Sequence, residues 1–190
     1  MQIIEWQQFL ENGLSVDKNS SMTIGIFDGV HRGHRALLER VVSQKFLVPV
    51  VVTFKKAVSN YLLGMRKGDI YSFQQRLELF EKLGIEITIV IDLTDEFKKT
   101  TGLEFLKMLQ KQGRPGYLAV GSGFRCGYQM DTDAAAIQRF FAPVPVDIVP
   151  PVLEGSEPVS SSRIRQALAD GDIPLAKAML GGAMVPKYHG

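Results

Sequence analysis

Short apolar runs rich in β-branched residues alternate with segments of helical periodicity along most of this chain. The predicted strands cover the apolar runs at 21–27, 46–54, 85–91, 117–120 and 144–149. The predicted helices follow them, at 32–45, 72–83, 101–112, 133–141, 160–170 and 173–180. Strands that are apolar on both faces and alternate with helices are typical of an open parallel sheet with helices on both faces. The sequence therefore predicts an α/β protein whose ligand binds beyond the carboxyl ends of the strands.

Composition narrows the class of protein further. The 190 residues carry ordinary globular proportions of apolar and charged side chains, which excludes a disordered chain. A net charge of +2 gives no support for binding to nucleic acid or to an anionic membrane. Cys126 is the single cysteine, so no internal disulfide can form and we expect a reducing, cytoplasmic compartment. We also expect no signal peptide, because the first 13 residues carry acids and no basic leader before an apolar stretch. No membrane span is expected either, because the apolar run at 46–54 is short and contains a proline.

The most specific local feature is GIFDGVHRGH at 25–34, which follows the first predicted strand and opens a helix. Gly29 and Gly33 allow a ligand to approach the backbone closely. A helix N-terminus also presents free N–H groups that carry a partial positive charge. His31 and His34 are one helical turn apart, so both imidazoles can donate to the oxygens of one ligand. The segment therefore predicts a phosphate site.

Two other interpretations of this segment compete with a phosphate site. The histidines could simply begin a structural turn and face solvent. Their spacing also fits zinc, but Asp28 is the one further ligand type nearby and Cys126 is isolated, so we predict no metal ligands. The chain has neither a P-loop nor a GxGxxG pattern, which disfavours a Walker ATPase and an ordinary dehydrogenase.

A second candidate site begins at SSSRIRQAL, residues 160–168. Serine is a preferred N-cap residue, so a capped structural helix accounts for one of these hydroxyls. Three hydroxyls in succession exceed that need, and Ser161, Ser162 and Arg163 at a helix N-terminus suit a polyphosphate. We expect Arg165 to lie on another face of the helix with a different partner. Together the two motifs can hold both ends of a nucleoside triphosphate.

In this order and at this separation, the two motifs resemble those of the nucleotidylyltransferase superfamily with an HxGH turn. The whole chain resembles the FMN adenylyltransferase (FAD synthetase) module of bacterial bifunctional riboflavin kinase/FAD synthetases. The segments that carry the resemblance are TIGIFDGVHRGH at 23–34, VTF at 52–54, YSFQQRLELFEKLG at 71–84, VGSGFRCG at 120–127, SSSRIR at 160–165, and 167–180.

The resemblance implies one Rossmann-like nucleotidyltransferase domain over 1–190, with the last helices (about 160–180) closing the phosphate site. It implies that ATP and FMN are joined to give FAD and pyrophosphate, with Mg²⁺ accompanying ATP as the cofactor. The kinase barrel of the family does not follow residue 180, so riboflavin phosphorylation is not expected.

The resemblance also implies roles for individual residues. His31, His34 and Arg163 are implied as catalytic groups on the phosphates while the FMN phosphate attacks the α-phosphorus. The implied nucleotide-binding residues are Gly25, Phe27, Asp28, Gly29, Gly33, Ser161, Ser162 and Arg165. The implied residues on the acceptor side are Thr53, Phe54, Gly123, Phe124 and Arg125.

The sequence departs from the family pattern on the acceptor side. Lys-Lys-Ala at 55–57 replaces Pro-His-Pro, and Gly123 and Cys126 replace an acidic or amide residue and an aromatic one. Two alternatives therefore stay open: an adenylyl- or cytidylyltransferase for another phosphorylated acceptor, and a nucleotide- or flavin-binding module without catalysis. The stretch 55–69 has no clear period and is predicted to be a loop.

Overall fold

The computed structural model describes residues 1–55 and 68–182, and a six-stranded parallel sheet lies at its centre. The strands are, in chain order, β1 (Gln2–Glu5), β2 (Ser20–Ile24), β3 (Val48–Phe54), β4 (Ile87–Ile91), β5 (Pro115–Gly121), β6 (Arg125–Cys126), β7 (Thr132–Asp133), β8 (Val146–Val149), β9 (Leu153–Glu154) and β10 (Glu157–Pro158). The central sheet has the order β1-β4-β3-β2-β5-β8, and every neighbouring pair in it is parallel. The predicted open parallel sheet is confirmed.

The described part of the chain contains seven α-helices, of which the last two follow the final strand. They are α1 (Trp6–Asn12), α2 (Arg32–Val42), α3 (Phe73–Lys82), α4 (Gly102–Gly113), α5 (Ala134–Phe141), α6 (Ser161–Ala169) and α7 (Ile173–Met179). Side-chain caps explain several starts: Ser72 and Thr101 form capping boxes before α3 and α4, and Asp133 caps α5. Within 1–55 and 68–182, no helix combines the length and the apolar character needed to cross a bilayer.

Alternate residues of the central strands enter two apolar layers, one on each face of the sheet. Val50 and Val52 of β3 pack in the layer that includes α1, α4 and α5, whereas Val51 packs with α2 and α3. A third cluster joins α6 and α7 to the segment at Ile70 and Tyr71. Burial of both strand faces accounts for the continuous apolar runs of the sequence.

Several elements differ from the sequence-based prediction. The pair β1 and α1 was not expected, although Trp6 and Phe9 do pack together with ring centroids 5.3 Å apart. The short hairpins β6–β7 and β9–β10 were also missed. The first predicted strand was extended too far, because β2 ends at Ile24 and Phe27 already has a φ of 55°. Most of the predicted loop at 55–69 lies outside the described residues.

Candidate active site

The turn between β2 and α2 lies where the order of the sheet reverses. From β2 the chain continues to β3 and β4 on one side, and it later returns to β5 on the other side. In open α/β sheets, the crevice at such a reversal is where ligands bind. The sequence motif at 25–34 is thus found at the position that the fold class uses for binding.

The backbone of this turn is strained. Phe27, Gly29 and Val30 have φ values of 55°, 80° and 39°. Glycine adopts such values freely, but a β-branched residue such as Val30 does so rarely and at a cost of about 1–3 kcal/mol. The turn is held by two hydrogen bonds, from Val30 N to Phe27 O (3.1 Å) and from Arg35 Nε to Val30 O (3.1 Å). Strain that is maintained in this way is typical of functional turns.

His31 and His34 lie against each other, as their spacing predicts. Their rings are stacked, with centroids 3.5 Å apart and planes 17° apart. His31 is the N-cap of α2, and its Nδ1 accepts a hydrogen bond from His34 N at 3.3 Å. An accepting Nδ1 places the proton of a neutral His31 on Nε2, which is then a donor for a ligand. The Phe27 ring lies beneath His34 at 5.2 Å, so any contact of Phe27 with a ligand would use its backbone.

Both histidines are neutral at pH 7. Burial lowers the pKa of His31 to about 4. Burial also lowers the pKa of His34 well below its usual range, and nearby His31 and Arg76 act in the same direction. The buried Nδ1 of His34 has no hydrogen-bond partner among the described residues. Positive potential for an anion at this turn therefore comes from the helix N-terminus, while the imidazoles can supply neutral donors.

The second motif meets the first in space. Ser160 caps α6 by accepting a hydrogen bond from Arg163 N (3.2 Å), and Ser161 Oγ donates to Asp28 O at 2.9 Å. Ser162 is exposed. Two helix N-termini that are far apart in sequence are thus brought together at one turn, and each presents free amide donors.

The two arginines of α6 have different partners. Arg163 lies on the β9–β10 hairpin: its Nη1 donates to the carbonyls of Glu154 and Glu157 at 3.1 Å, and its Nε pairs with Glu157 Oε2 at 3.0 Å. A contact of Arg163 with phosphate would require its guanidinium to leave this hairpin. Arg165 is buried and forms an ion pair with Asp28, which agrees with the expectation that its partner would differ.

Asp28 joins three segments of the chain. Its Oδ1 accepts hydrogen bonds from Ile70 N (2.9 Å) and Tyr71 N (3.4 Å), and its Oδ2 pairs with Arg165. Burial raises the pKa of Asp28, and Arg165 and the two amides oppose that rise. The carboxylate is thus committed to internal partners, and the turn, α6 and the segment before α3 are fixed together.

The predicted acceptor-side residues lie at the carboxyl ends of β3 and β5, on either side of this turn. Thr53 is buried and donates to Ile26 O at 3.1 Å, whereas Phe54 is half-buried with its ring 6.1 Å from that of Phe97. A Cβ built at Gly123 would meet no atom of residues 1–55 or 68–182 within 4 Å. The remaining two residues are the half-buried Phe124 and the exposed Arg125.

Arg76 is not among the predicted site residues, yet it is fully buried beside this site. Its Nη1 donates to Ile26 O at 2.6 Å and its Nη2 to Phe54 O at 3.1 Å. The signal was present in the helical spacing, because Arg76 falls on the same face of α3 as Phe73, Leu77 and Phe80.

Fold and site together define an α/β protein with an open parallel sheet and a candidate ligand-binding turn at the point where the strand order reverses. A family model described as FAD synthetase matches residues 14–163, and the chain belongs to the FAD synthetase family.

Curated relatives agree with this family. The bifunctional riboflavin kinase/FMN adenylyltransferase of Escherichia coli (strain K12) is 32% identical over 167 residues, which cover 84% of this chain and 53% of the relative. The chain thus spans about half the length of that relative. A putative bifunctional riboflavin kinase/FMN adenylyltransferase of Geobacillus thermodenitrificans is 30% identical, with 85% of this chain and 89% of the relative covered.

Solved structures show the same fold. A Streptococcus pneumoniae protein described as a macrolide-efflux protein superposes with a TM-score of 0.82 at 26% identity, covering 95% of this chain and 60% of that one. The pantoate-beta-alanine ligase of Francisella tularensis, complexed with beta-gamma ATP and beta-alanine, gives a TM-score of 0.56 at 14% identity, covering 95% of this chain and 85% of that one. The second likeness shows the fold alone.

Proposed function

We propose that the protein is an FMN adenylyltransferase, which converts ATP and FMN into FAD and pyrophosphate. The observation that carries the proposal is the meeting of two helix N-termini at the turn after β2, where Ser161 Oγ donates to Asp28 O. Helix N-termini bind anions, and two of them at one crevice suit the phosphate chain of a nucleotide. Membership of the FAD synthetase family supports ATP and FMN as the substrates.

The proposed reaction is a direct, in-line displacement. A phosphate oxygen of FMN forms a bond to the α-phosphorus of ATP, the bond from that phosphorus to the oxygen bridging to the β-phosphorus breaks, and pyrophosphate leaves with the electron pair. His31 and His34 donate hydrogen bonds to the phosphates, and the amides at the start of α2 stabilise the charge that develops. The roles of Ser161, Ser162, Arg163 and Arg165 on the remaining phosphates are part of this proposal, as is closure of the site by α6 and α7.

Mg²⁺ bound to ATP is the proposed cofactor, and when bound it neutralises phosphate charge. In the described residues, no group of three or more His, Cys, Asp or Glu side chains is arranged to hold a metal ion. The carboxylate of Asp28 is engaged by Arg165 and by two amides. Mg²⁺ that arrives on the triphosphate would be held by phosphate oxygens and water, ligands that this ion accepts.

The acceptor is proposed to lie across the ends of β3 and β5, near Thr53, Phe54, Gly123, Phe124 and Arg125. Space above Gly123 and the aromatic rings of Phe54 and Phe124 suit a flat ring system, and the cation of Arg125 suits a phosphorylated ligand. ATP and FMN as substrates, together with the single cysteine, support a cytoplasmic location.

The test is to incubate the purified protein with ATP, Mg²⁺ and FMN and to separate the flavins by chromatography. We expect FAD and pyrophosphate in equal amounts. Pyrophosphate release with a different phosphate monoester, while FMN is inert, would identify another acceptor. Binding of ATP and FMN with no product in any combination would identify a binding module and contradict the proposal.

A further inference from the structure

Arg76 is the largest side chain that is fully buried among the described residues. It lies on the apolar face of α3, with its guanidinium carbon 5.2 Å from the centre of the Phe73 ring. Burial lowers the pKa of Arg76, while the charges of Asp28 and Asp69 oppose that change. Arginine is almost never fully buried unless its donors are satisfied, so its partners account for its position.

The guanidinium of Arg76 joins the ends of two neighbouring strands. Nη1 donates to Ile26 O (2.6 Å), just beyond β2, and to Thr53 Oγ1 (3.3 Å). Nη2 donates to the carbonyls of Phe54 (3.1 Å) and Lys55 (3.2 Å), at the end of β3. A planar fork with several fixed donors can bridge these oxygens, whereas the single nitrogen of lysine reaches fewer of them.

Most of these contacts are on the acceptor side of the site. Among the described residues, three of its four hydrogen bonds go to residues 53–55, and one goes to the turn that begins the nucleotide side. That turn is also held by the contacts of Asp28 with Arg165 and with Ser161. Loss of the Arg76 fork should therefore displace the end of β3 more than it displaces the turn.

We propose that Arg76 is a positioning residue for the phosphorylated acceptor. Its fork fixes Thr53 and Phe54 relative to the His-x-Gly-His turn, and so sets where FMN lies beside the α-phosphorus of ATP. This inference rests on the proposed function, because FMN defines the acceptor side.

The test compares Arg76→Lys with a matched control on the same helix. Gln75→Ala removes half of the capping box of α3 from an exposed position and leaves the strand ends untouched. FMN binding is measured from the quenching of flavin fluorescence, and the binding of ATP with Mg²⁺ is measured in a separate titration. The melting temperature of each variant is also measured. For Arg76→Lys we expect the Kd of FMN to rise about tenfold, the effect of losing one or two buried hydrogen bonds to a charged group. The Kd of ATP should be unchanged, and Gln75→Ala should lower the melting temperature with both Kd values unchanged.

Other outcomes would overturn the inference. Equal losses of FMN and ATP affinity, or a lower melting temperature with FMN affinity intact, would give Arg76 a role in the fold alone. If Arg76→Lys does not fold, Arg76→Gln takes its place, and failure of both to fold would also overturn it. If the wild type binds FMN but forms no FAD, the proposed function fails and the Kd comparison still decides the role of Arg76. If the wild type does not bind FMN, both fail together.

Discussion

The nucleotide side of the site and the β5 end of its acceptor side are built in opposite ways. On the nucleotide side, Asp28 and His31 are buried and bound to partners within the protein. At the end of β5, no described residue lies against Gly123, and Arg125 is exposed. Fixed dipoles and donors reduce the cost of organising a charged transition state, which explains the rigid side. An open surface tolerates substitution, and the departures at Gly123 and Cys126 from the family pattern fall there.

The largest effect on stability is expected when the nucleotide side loses the ion pair between Asp28 and Arg165. Asp28→Asn leaves Arg165 buried with an unpaired charge, which costs about 3–5 kcal/mol of unfolding free energy. Chemical denaturation measures this loss. The control is Asp95→Asn, which removes an exposed ion pair with Lys98 and should leave the midpoint unchanged. Equal midpoints for wild type and Asp28→Asn would show that the ion pair does not hold the turn.

Burial of His31 on the nucleotide side makes the free energy of unfolding depend on pH. His31 stays neutral in the folded protein down to about pH 4, whereas the unfolded chain binds a proton below its ordinary value of 6.5. The unfolded chain binds more protons between these two pH values. The contribution of His31 to the free energy of unfolding is therefore complete above pH 6.5 and is lost as the pH drops towards 4, by on the order of 3 kcal/mol. Denaturation midpoints across this range measure the slope. His31→Asn keeps an N-cap acceptor, and its denaturation midpoint should depend less steeply on pH than that of the wild type. The same pH dependence in both proteins would contradict a lowered pKa of His31.

Removing one imidazole donor should lower the rate more than it lowers ATP affinity. For His34→Ala and for His31→Asn we expect kcat to fall on the order of a hundredfold. Glu39→Ala, an exposed change on the same helix, serves as the control. Steady-state FAD formation measures the effect. Variants that keep the rate of the wild type would exclude the histidines from the reaction.

The smallest effect is expected on the KM of FMN when Arg125, at the exposed end of β5, is changed. Arg125 is exposed and donates to Met130 O, so Arg125→Ala should leave the melting temperature unchanged. The KM of FMN should rise by a factor of about 3–10, because a cation near the phosphorylated acceptor is lost. The control is Arg139→Ala, because Arg139 is exposed in the last turn of α5, which leads into the amino end of β8, whereas Arg125 follows the carboxyl end of β5. Equal KM values for both variants would remove Arg125 from the acceptor side.

Local patterns predicted the sheet, most of its helices and the location of both motifs at helix N-termini. They failed for β1, which is four residues long and has one buried position, so its signal is too short to read. They also could not reveal that Asp28 pairs with Arg165, since the two residues are 137 positions apart and only tertiary packing brings them together. The burial of Arg76, in contrast, is predictable from the sequence, because helical spacing places this residue on the apolar face of α3. The strain at Val30 has no signal in residue type, as valine usually avoids positive φ.

The most direct test of a shared triphosphate site follows the imidazole NMR signals of His31 and His34 during titration with a non-hydrolysable ATP analogue and Mg²⁺. Ser161→Ala, which removes the contact between α6 and the turn, is titrated in parallel. We expect both histidines to shift together with one Kd, and that Kd to be larger in Ser161→Ala. Binding of the analogue that leaves both histidine signals in place would contradict a triphosphate site at the turn between β2 and α2.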